Sequence, residues 1–323
     1  MDPDHGDVDF DFSPFLIRYK SGRVRRLMGA SRVPAGTDAA TGVACKDVVI
    51  DAATSLGARL YIPGDNNPET KLPLLVFFHG GAFAVHSAFS RAHSGFLNAL
   101  VRAARVVAVS VDYRLAPEHP VPAAYDDAWA ALRWAVAGCS EPGPAPEPWL
   151  ADHADAARLF VAGDSAGANI AHNVAMRAGK SADGPRIEGM VLLHPYFRGK
   201  EPLPSELGNP KVMARAERSW AFVCAGEFDL DHPFINPLAM PAAEWAALGC
   251  RRALVTVAEL DTLRDRGRRY VEALRASAWA GEETVLYETE GEGHVYFIDN
   301  SGAGGEKAAR EMAAVVSFIR RQG

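Results

Sequence analysis

The run Arg158-Leu159-Phe160-Val161-Ala162-Gly163-Asp164-Ser165-Ala166-Gly167-Ala168-Asn169 sets a serine between two spaced glycines, where an apolar, strand-like stretch gives way to a helix-like one. Reversing a strand into a helix over so few residues needs a sharp turn, and Gly163 and Gly167 leave room for the crowded backbone. Such a turn holds the serine oxygen clear of the sheet, as attack on a carbonyl requires. The stretch predicts a nucleophile elbow and hydrolysis by Ser165. A bare Gly-x-Ser-x-Gly also arises by chance in Gly-rich chains, so the flanks and downstream partners must carry the specificity.

From Leu72 onward, short apolar runs alternate with longer amphipathic ones, the pattern of a mostly parallel sheet with helices on both faces. Strands are predicted over Leu74–Phe78, Val106–Val111, Leu159–Ala162, Met190–Leu193, Ala253–Val257 and Thr284–Tyr287. Helices are predicted over Ala123–Ala137, Ala168–Ala178, Arg264–Ala280 and Lys307–Arg320, and Val48–Ile50 with Ala58–Ile62 reads as an antiparallel hairpin on the sheet edge. Two stretches break the alternation, about 1–45 and 197–248. The second mixes six prolines from Pro202 to Pro241 with Trp220, Phe222, Phe228, Phe234 and Trp245. Both are expected to form a small cap on a single domain spanning 1–323. Residues 140–152 read as a connector, and no internal repeat is present.

A serine nucleophile needs a base for its proton, and the base needs an acid to fix its tautomer and stabilise the imidazolium that forms. In a doubly wound hydrolase these follow in the order nucleophile, acid, histidine, each beyond the carboxyl end of a strand. Asp261 follows the strand Ala253–Val257, and His294 follows Thr284–Tyr287 in the turn-rich Glu290-Gly291-Glu292-Gly293. Glu259 and Asp265 flank the same loop and compete for the acid, and His172, His194 and His232 compete for the base; His172 lies inside the helix after the elbow and His194 on an earlier strand end, so neither has the topological position of His294. For the oxyanion, the strand ending in Phe78-His79-Gly80-Gly81 offers the N–H groups of Gly80 and Gly81, and Ala166 offers a third from the elbow. His79 reads as a residue that holds its loop. Asp164 is expected at the pocket floor, biasing against anionic alcohol groups.

The 323 residues carry a net charge of −6, with 48% hydrophobic and 23% charged, which suits one large core and excludes disordered, collagenous and fibrous classes. The acidic balance argues against nucleic acid as a partner. No apolar run is long enough to span a bilayer. The acidic opening Met1-Asp2-Pro3-Asp4 lacks a secretory pattern, and four scattered cysteines form no Cys-x-x-Cys pair, so reduced thiols and a cytoplasmic location, with the nucleus as a further compartment, are expected. No phosphate-cradling loop, dinucleotide fingerprint or metal-ligand cluster is visible, so no cofactor and no metal are implied. Phe10, Phe12, Phe15, Trp220, Phe222 and Phe234 are pocket or core residues that the sequence leaves unassigned.

The chain resembles the hormone-sensitive-lipase group of α/β-hydrolases, and within it the plant carboxylesterases, which also include gibberellin receptors and 2-hydroxyisoflavanone dehydratases. The resemblance rests on Phe77 to Phe83, on Asp112-Tyr113-Arg114-Leu115-Ala116-Pro117-Glu118-His119-Pro120 and the residues up to Asp127, and on the elbow through His172. His194-Pro195-Tyr196, Ile235-Asn236-Pro237 and Asp261 to Gly267 complete it. It implies an α/β-hydrolase fold and a small-molecule ester as substrate. His79-Gly80-Gly81-Ala82 departs from the wider family's His-Gly-Gly-Gly by one methyl, which bears on substrate scope. The receptors keep the serine and lose the histidine, and the dehydratases can carry threonine at the nucleophile position; a chain with both Ser165 and His294 is expected to be a working esterase. Binding without turnover and flavonoid-type dehydration are the alternatives.

Overall fold

Apolar runs buried on both faces cannot alternate with polar residues, and they form the middle of a sheet covered on both sides. The computed structural model describes residues 7–29, 31–66, 70–140, 147–207, 210–299 and 305–321. Its elements are, in chain order, β1 (Val8–Phe12), β2 (Leu16–Tyr19), β3 (Val24–Arg26), β4 (Gly36–Thr37), β5 (Val43–Asp51), β6 (Leu56–Pro63), β7 (Leu72–Phe78), α1 (Arg91–Ala104), β8 (Val107–Asp112), α2 (Ala123–Gly138), α3 (Pro148–His153), β9 (Ala154–Asp164), α4 (Ala166–Lys180), β10 (Ile187–Leu193), α5 (Pro204–Leu207), α6 (Pro210–Val223), β11 (Cys250–Ala258), α7 (Arg264–Ala276), β12 (Glu283–Thr289), α8 (Tyr296–Asp299) and α9 (Glu306–Arg320).

The main sheet has nine strands in the order β12-β11-β10-β9-β7-β8-β6-β5-β4. Strands β7 to β12 run parallel, and β6, β5 and β4 join antiparallel at one side. Side chains alternate between two cores. Leu159 and Val161 of β9 pack with α2, α4 and α7, whereas Phe160 and Ala162 pack with α1 and α9. Register aligns the strand ends that matter: Phe78 of β7 lies opposite Gly163, and Leu193 of β10 opposite Asp164. The loops after β7, β9, β10, β11 and β12 therefore open on one rim.

A second sheet, β1-β2-β3, lies against α6. Phe10 stacks on Phe222 with ring centroids 4.2 Å apart, Phe12 meets the same ring edge-on at 5.8 Å, and the Arg18 guanidinium sits 4.9 Å above it. Burial of these rings against one another gives the small sheet a core that three short strands lack alone.

Several local expectations shift. The hairpin pairs as anticipated but is longer, and β4 lies outside it, so residues 36–37 and 43–45 belong to the main sheet and not to the cap stretch. Helix α1 lies outside the helices the sequence predicts, although Phe96, Leu97, Leu100 and Val101 bury one face of it. In the expected connector, Pro148 begins α3 and the Glu147 carboxylate accepts from Leu150 N–H, a capped start that the prolines around it obscured; residues 141–146 lie outside the described residues. Helix α7 stops four residues early, because the Ser277 hydroxyl donates to Leu274 O and accepts from Trp279 N–H, and Trp279 turns away to donate to Cys250 O.

A Cβ added at Gly167 would lie 1.9 Å from Phe78 O and 2.7 Å from His79 O. Gly167→Ala should therefore force β7 and α4 apart and lower the thermal unfolding midpoint by roughly 5 °C or more, read by calorimetry, whereas an alanine at the unobstructed Gly305 should not.

Candidate active site

Ser165 sits at the turn between β9 and α4 with φ 52° and ψ −115°, a conformation most side chains avoid. Flanking loops hold it there. Ser165 N–H donates to Leu193 O at 2.8 Å, and Ser165 O accepts from Tyr196 N–H and Asn169 N–H at 3.0 and 3.1 Å. Asp261 stands beyond β11 and His294 beyond β12. The Ser165 hydroxyl lies 2.8 Å from His294 Nε2, and His294 Nδ1 lies 2.6 Å from Asp261 Oδ2. Asp261 Oδ1 accepts from Leu263 N–H at 2.9 Å. Burial of Asp261 favours the neutral acid, but His294 beside it and these two hydrogen bonds outweigh burial and hold the carboxyl below its usual range. An ionised Asp261 fixes the His294 proton on Nδ1 and leaves Nε2 as an acceptor for the serine proton.

The competing residues have other partners. Glu259 accepts from Gly291 N–H at 2.7 Å, and Asp265 accepts from Ser205 N–H and pairs with Arg264. His172 contacts the Tyr270 hydroxyl at 3.0 Å, and burial pushes its imidazole down to about 3. His232 accepts from Phe234 N–H.

The oxyanion expectation needs one correction. Gly80 N–H donates to Asp164 Oδ1 at 2.9 Å, so it is committed within the protein and does not face the nucleophile as expected. The N–H groups of Gly81, Ala82 and Ala166 have no partner among the described residues, and Gly81 and Ala82 line the cavity beside Ser165. Asp164 does border the cavity, as expected, but its carboxylate is not free there. It is buried, its Oδ1 lies 3.1 Å from His93 Nε2, and these donors against the cost of burial hold it below the usual range. It braces the glycine loop. His79 completes that brace: its Nδ1 lies 2.7 Å from Gly80 O, its ring stacks on Tyr113, and the Tyr113 hydroxyl donates to His79 O. Burial pushes the His79 imidazole down to about 3, so it stays neutral.

The cavity in front of Ser165 encloses about 440 Å³. Phe12, Phe15, Met28 and Ile298 supply apolar wall, and Arg198, Arg215 and Ser219 supply polar wall. Of the unassigned aromatics, Phe12 and Phe15 border this cavity; Phe10, Trp220 and Phe222 pack in the cap, and Phe234 borders a separate cavity beside α2 and α4.

A family described as the alpha/beta hydrolase fold matches residues 75–298. This chain belongs to the α/β-hydrolase family. It is 42% identical to probable carboxylesterase 13 of Arabidopsis thaliana, over 97% of this chain and 98% of that one. It is 43% identical to the chloroplastic tuliposide A-converting enzyme 1 of Tulipa gesneriana, over 97% of this chain and 78% of the relative. Among solved structures it is similar to a thermostable esterase from Pseudomonas putida, with 25% identity, a TM-score of 0.73 and coverage of 90% and 86%. These relatives place the hydrolase in the plant carboxylesterase branch.

Behind the His294 loop of the hydrolase lies a pair that the sequence did not bring together. His194 Nδ1 accepts from Val295 N–H at 2.9 Å, and His194 Nε2 lies 3.2 Å from Glu311 Oε1 of α9. Glu311 Oε2 accepts from the Tyr296 hydroxyl at 2.8 Å and the Thr289 hydroxyl at 3.1 Å. Glu311 thus grips the residues on both sides of the loop, and its carboxylate favours the His194 tautomer whose Nδ1 accepts. Val295 has φ 45°, which a β-branched residue adopts only when held. A lone glutamate seventeen residues past the histidine carries no sequence signal of this role. His194, Asp261 and His294 also bring donor atoms within 4.8 Å of one another. Their lone pairs are taken up by Val295 N–H, Leu263 N–H and the His294–Asp261 contact, so the arrangement is a hydrogen-bonded chain and not an open ligand set.

The loop anchor predicts a rescue pattern. His194→Leu removes the acceptor and should lower kcat by about 10-fold or more with little change in KM, while His194→Asn, whose carbonyl oxygen can replace Nδ1, should recover most of it. Stability should also depend on acid. Asp164, Asp261 and Glu311 are all held below their ordinary values, so each contributes stability that is present above pH ~4 and lost as pH falls through its folded value. Thermal midpoints measured from pH 7 to 3 should fall on acidification, and less steeply in Glu311→Gln.

Proposed function

We propose that this protein hydrolyses small-molecule carboxylic esters through an acyl-enzyme, with Ser165 as nucleophile, His294 as general base and then acid, and Asp261 as its orienting carboxylate. The chain is a carboxylic-ester hydrolase of the plant carboxylesterase type. The observation that carries the mechanism is the unbroken run of contacts from Asp261 through His294 to Ser165, at 2.6 and 2.8 Å. His294 Nε2 takes the hydroxyl proton as Ser165 Oγ bonds to the acyl carbon. The tetrahedral oxygen then carries the negative charge. We assign its donors as the N–H groups of Gly81, Ala82 and Ala166, each worth about 3 kcal/mol of barrier if aimed correctly. Collapse expels the alcohol with the proton from His294, and water repeats the sequence to release the acid and restore the serine.

Serine acts here without a cofactor, and the substrate we assign is a small molecule and neither nucleic acid nor a membrane lipid. No described helix is long and apolar enough to cross a membrane. The tulip relatives carry plastid names, and imaging of the tagged chain tests the cytoplasmic reading against a plastid one.

Purified protein should release 4-nitrophenol from acetate and butyrate esters. Ser165→Ala and His294→Ala should each reduce kcat by about 10⁴-fold, and Asp261→Asn by about 10²-fold to 10⁴-fold, all with native circular dichroism. Wild-type rates in the Ser165→Ala protein would overturn the acyl-enzyme route.

A further inference from the structure

The wall of the active-site cavity carries positive charge that the protein neutralises only in part. Arg198, two residues past Tyr196, lines the cavity and is nine-tenths buried. Its Nη1 donates to Glu206 Oε1 at 2.8 Å, but the same carboxylate also receives Arg266, at 2.9 Å to Oε2. Glu206, Arg198 and Arg266 are all buried, so one carboxylate faces two guanidiniums and the group keeps one excess positive charge. Arg198 Nε has no partner, and Nη2 has only a 3.4 Å contact to the Thr262 hydroxyl.

Arg215 of α6 lines the same cavity and has no carboxylate within ion-pair distance among the described residues; it donates to Ser13 O, and Asp11 feels its charge without pairing with it. The two carboxylates on the cavity wall give no compensation. Asp164 is taken by Gly80 N–H and His93, and Asp261 by His294 and Leu263 N–H. Two guanidiniums therefore face a cavity that supplies them with no anion, in a chain whose overall charge is −6.

We propose that Arg198 and Arg215 form an anion subsite, and that the preferred substrates are esters carrying a second, ionised carboxylate. The guanidinium fork matches a carboxylate in two hydrogen bonds, and the apolar wall of Phe12, Phe15, Met28 and Ile298 takes the hydrocarbon between that carboxylate and the ester. The proposal rests on the ester-hydrolase reading for its substrate but not for its anion site. Replacing Arg198 with methionine leaves Glu206 paired one-to-one with Arg266, so the substitution removes the excess charge without stranding the carboxylate.

The test compares charged and neutral esters of matched shape in wild type and in Arg198→Met/Arg215→Met. Mono-4-nitrophenyl adipate against 4-nitrophenyl hexanoate places the charge in the acyl part, and 4-acetoxybenzoate against 4-acetoxybenzamide places it in the alcohol part. In one arm the wild-type ratio of kcat/KM, charged over neutral, should exceed that of the double variant by at least about 10-fold and shrink with added salt. Equal ratios in both arms would overturn the subsite. A binding measurement separates this from failure of the hydrolase reading. In the Ser165→Ala background, hexanoate should raise the unfolding midpoint more than hexanamide, and the difference should vanish when both arginines are methionine. If wild type turns over neither ester of a pair but this difference is present, the ester reading fails and the anion site stands; if the difference is absent, the subsite fails.

Discussion

Between the elbow and the end of β7 there is no room for a side chain. Cβ atoms at Gly163 and Gly167 would meet main-chain atoms at 2.3 and 1.9 Å, and the atom met at Gly167 belongs to Phe78, two residues before Gly80. One contact therefore sets two parts of the site. It allows β9 to turn sharply enough to hold Ser165 at φ 52°, and it brings the glycine loop against that turn. Asp164 joins the two covalently and electrostatically: it precedes the serine in sequence and receives the Gly80 N–H across the gap. Ser165 and the N–H groups we assign to the oxyanion are thus parts of one rigid unit, which is what electrostatic preorganisation requires.

The histidine has no such close-packed seat. It is the exposed member of the proposed triad, on a loop after the last strand of the sheet, and its placement depends on polar groups behind it. Two buried carboxylates share that work. Asp261 acts on His294 directly, while Glu311 acts through His194 on the main chain of the neighbouring residue and through Tyr296 and Thr289 on the loop ends. Burial makes each carboxylate costly to ionise, and each is nevertheless held below its ordinary value by the histidine and the donors beside it. The C-terminal helix α9 is therefore a structural part of the site, although none of its residues lines the cavity.

How far the sequence could be read follows from how local each determinant is. The parallel strands, the elbow and the order serine, aspartate, histidine are written in runs of neighbouring residues, and the hydrogen-bonded chain from Asp261 to Ser165 has the members expected from that order. What the sequence hid depends on contacts between distant residues. Gly80 looked like a free donor because its acceptor, Asp164, lies eighty-four residues away, and Asp164 looked like a free carboxylate for the same reason. Helix α1 begins Arg91-Ala-His-Ser-Gly, a poor opening by propensity, and is held by the face that Phe96 and Leu97 bury. The small N-terminal sheet needs Phe222 of α6 before its aromatic residues have a core.

The same distinction separates chemistry from selectivity. Ser165 sits at a strand end fixed by the central sheet, where a Cβ added at Gly163 or Gly167 would strike main chain. Much of the cavity wall comes instead from β1, from the loop after β10 and from α6, elements that pack through aromatic rings and ion pairs rather than through the sheet. Changing a residue there alters volume or charge without moving Ser165. Arg198 shows the consequence: it follows Tyr196, whose N–H anchors the elbow, by only two positions, yet its own side chain is tied to Glu206 on the cap side. With the catalytic frame and the wall held by different contacts, a change in the wall can alter which ester enters while the order from Asp261 through His294 to Ser165 is kept.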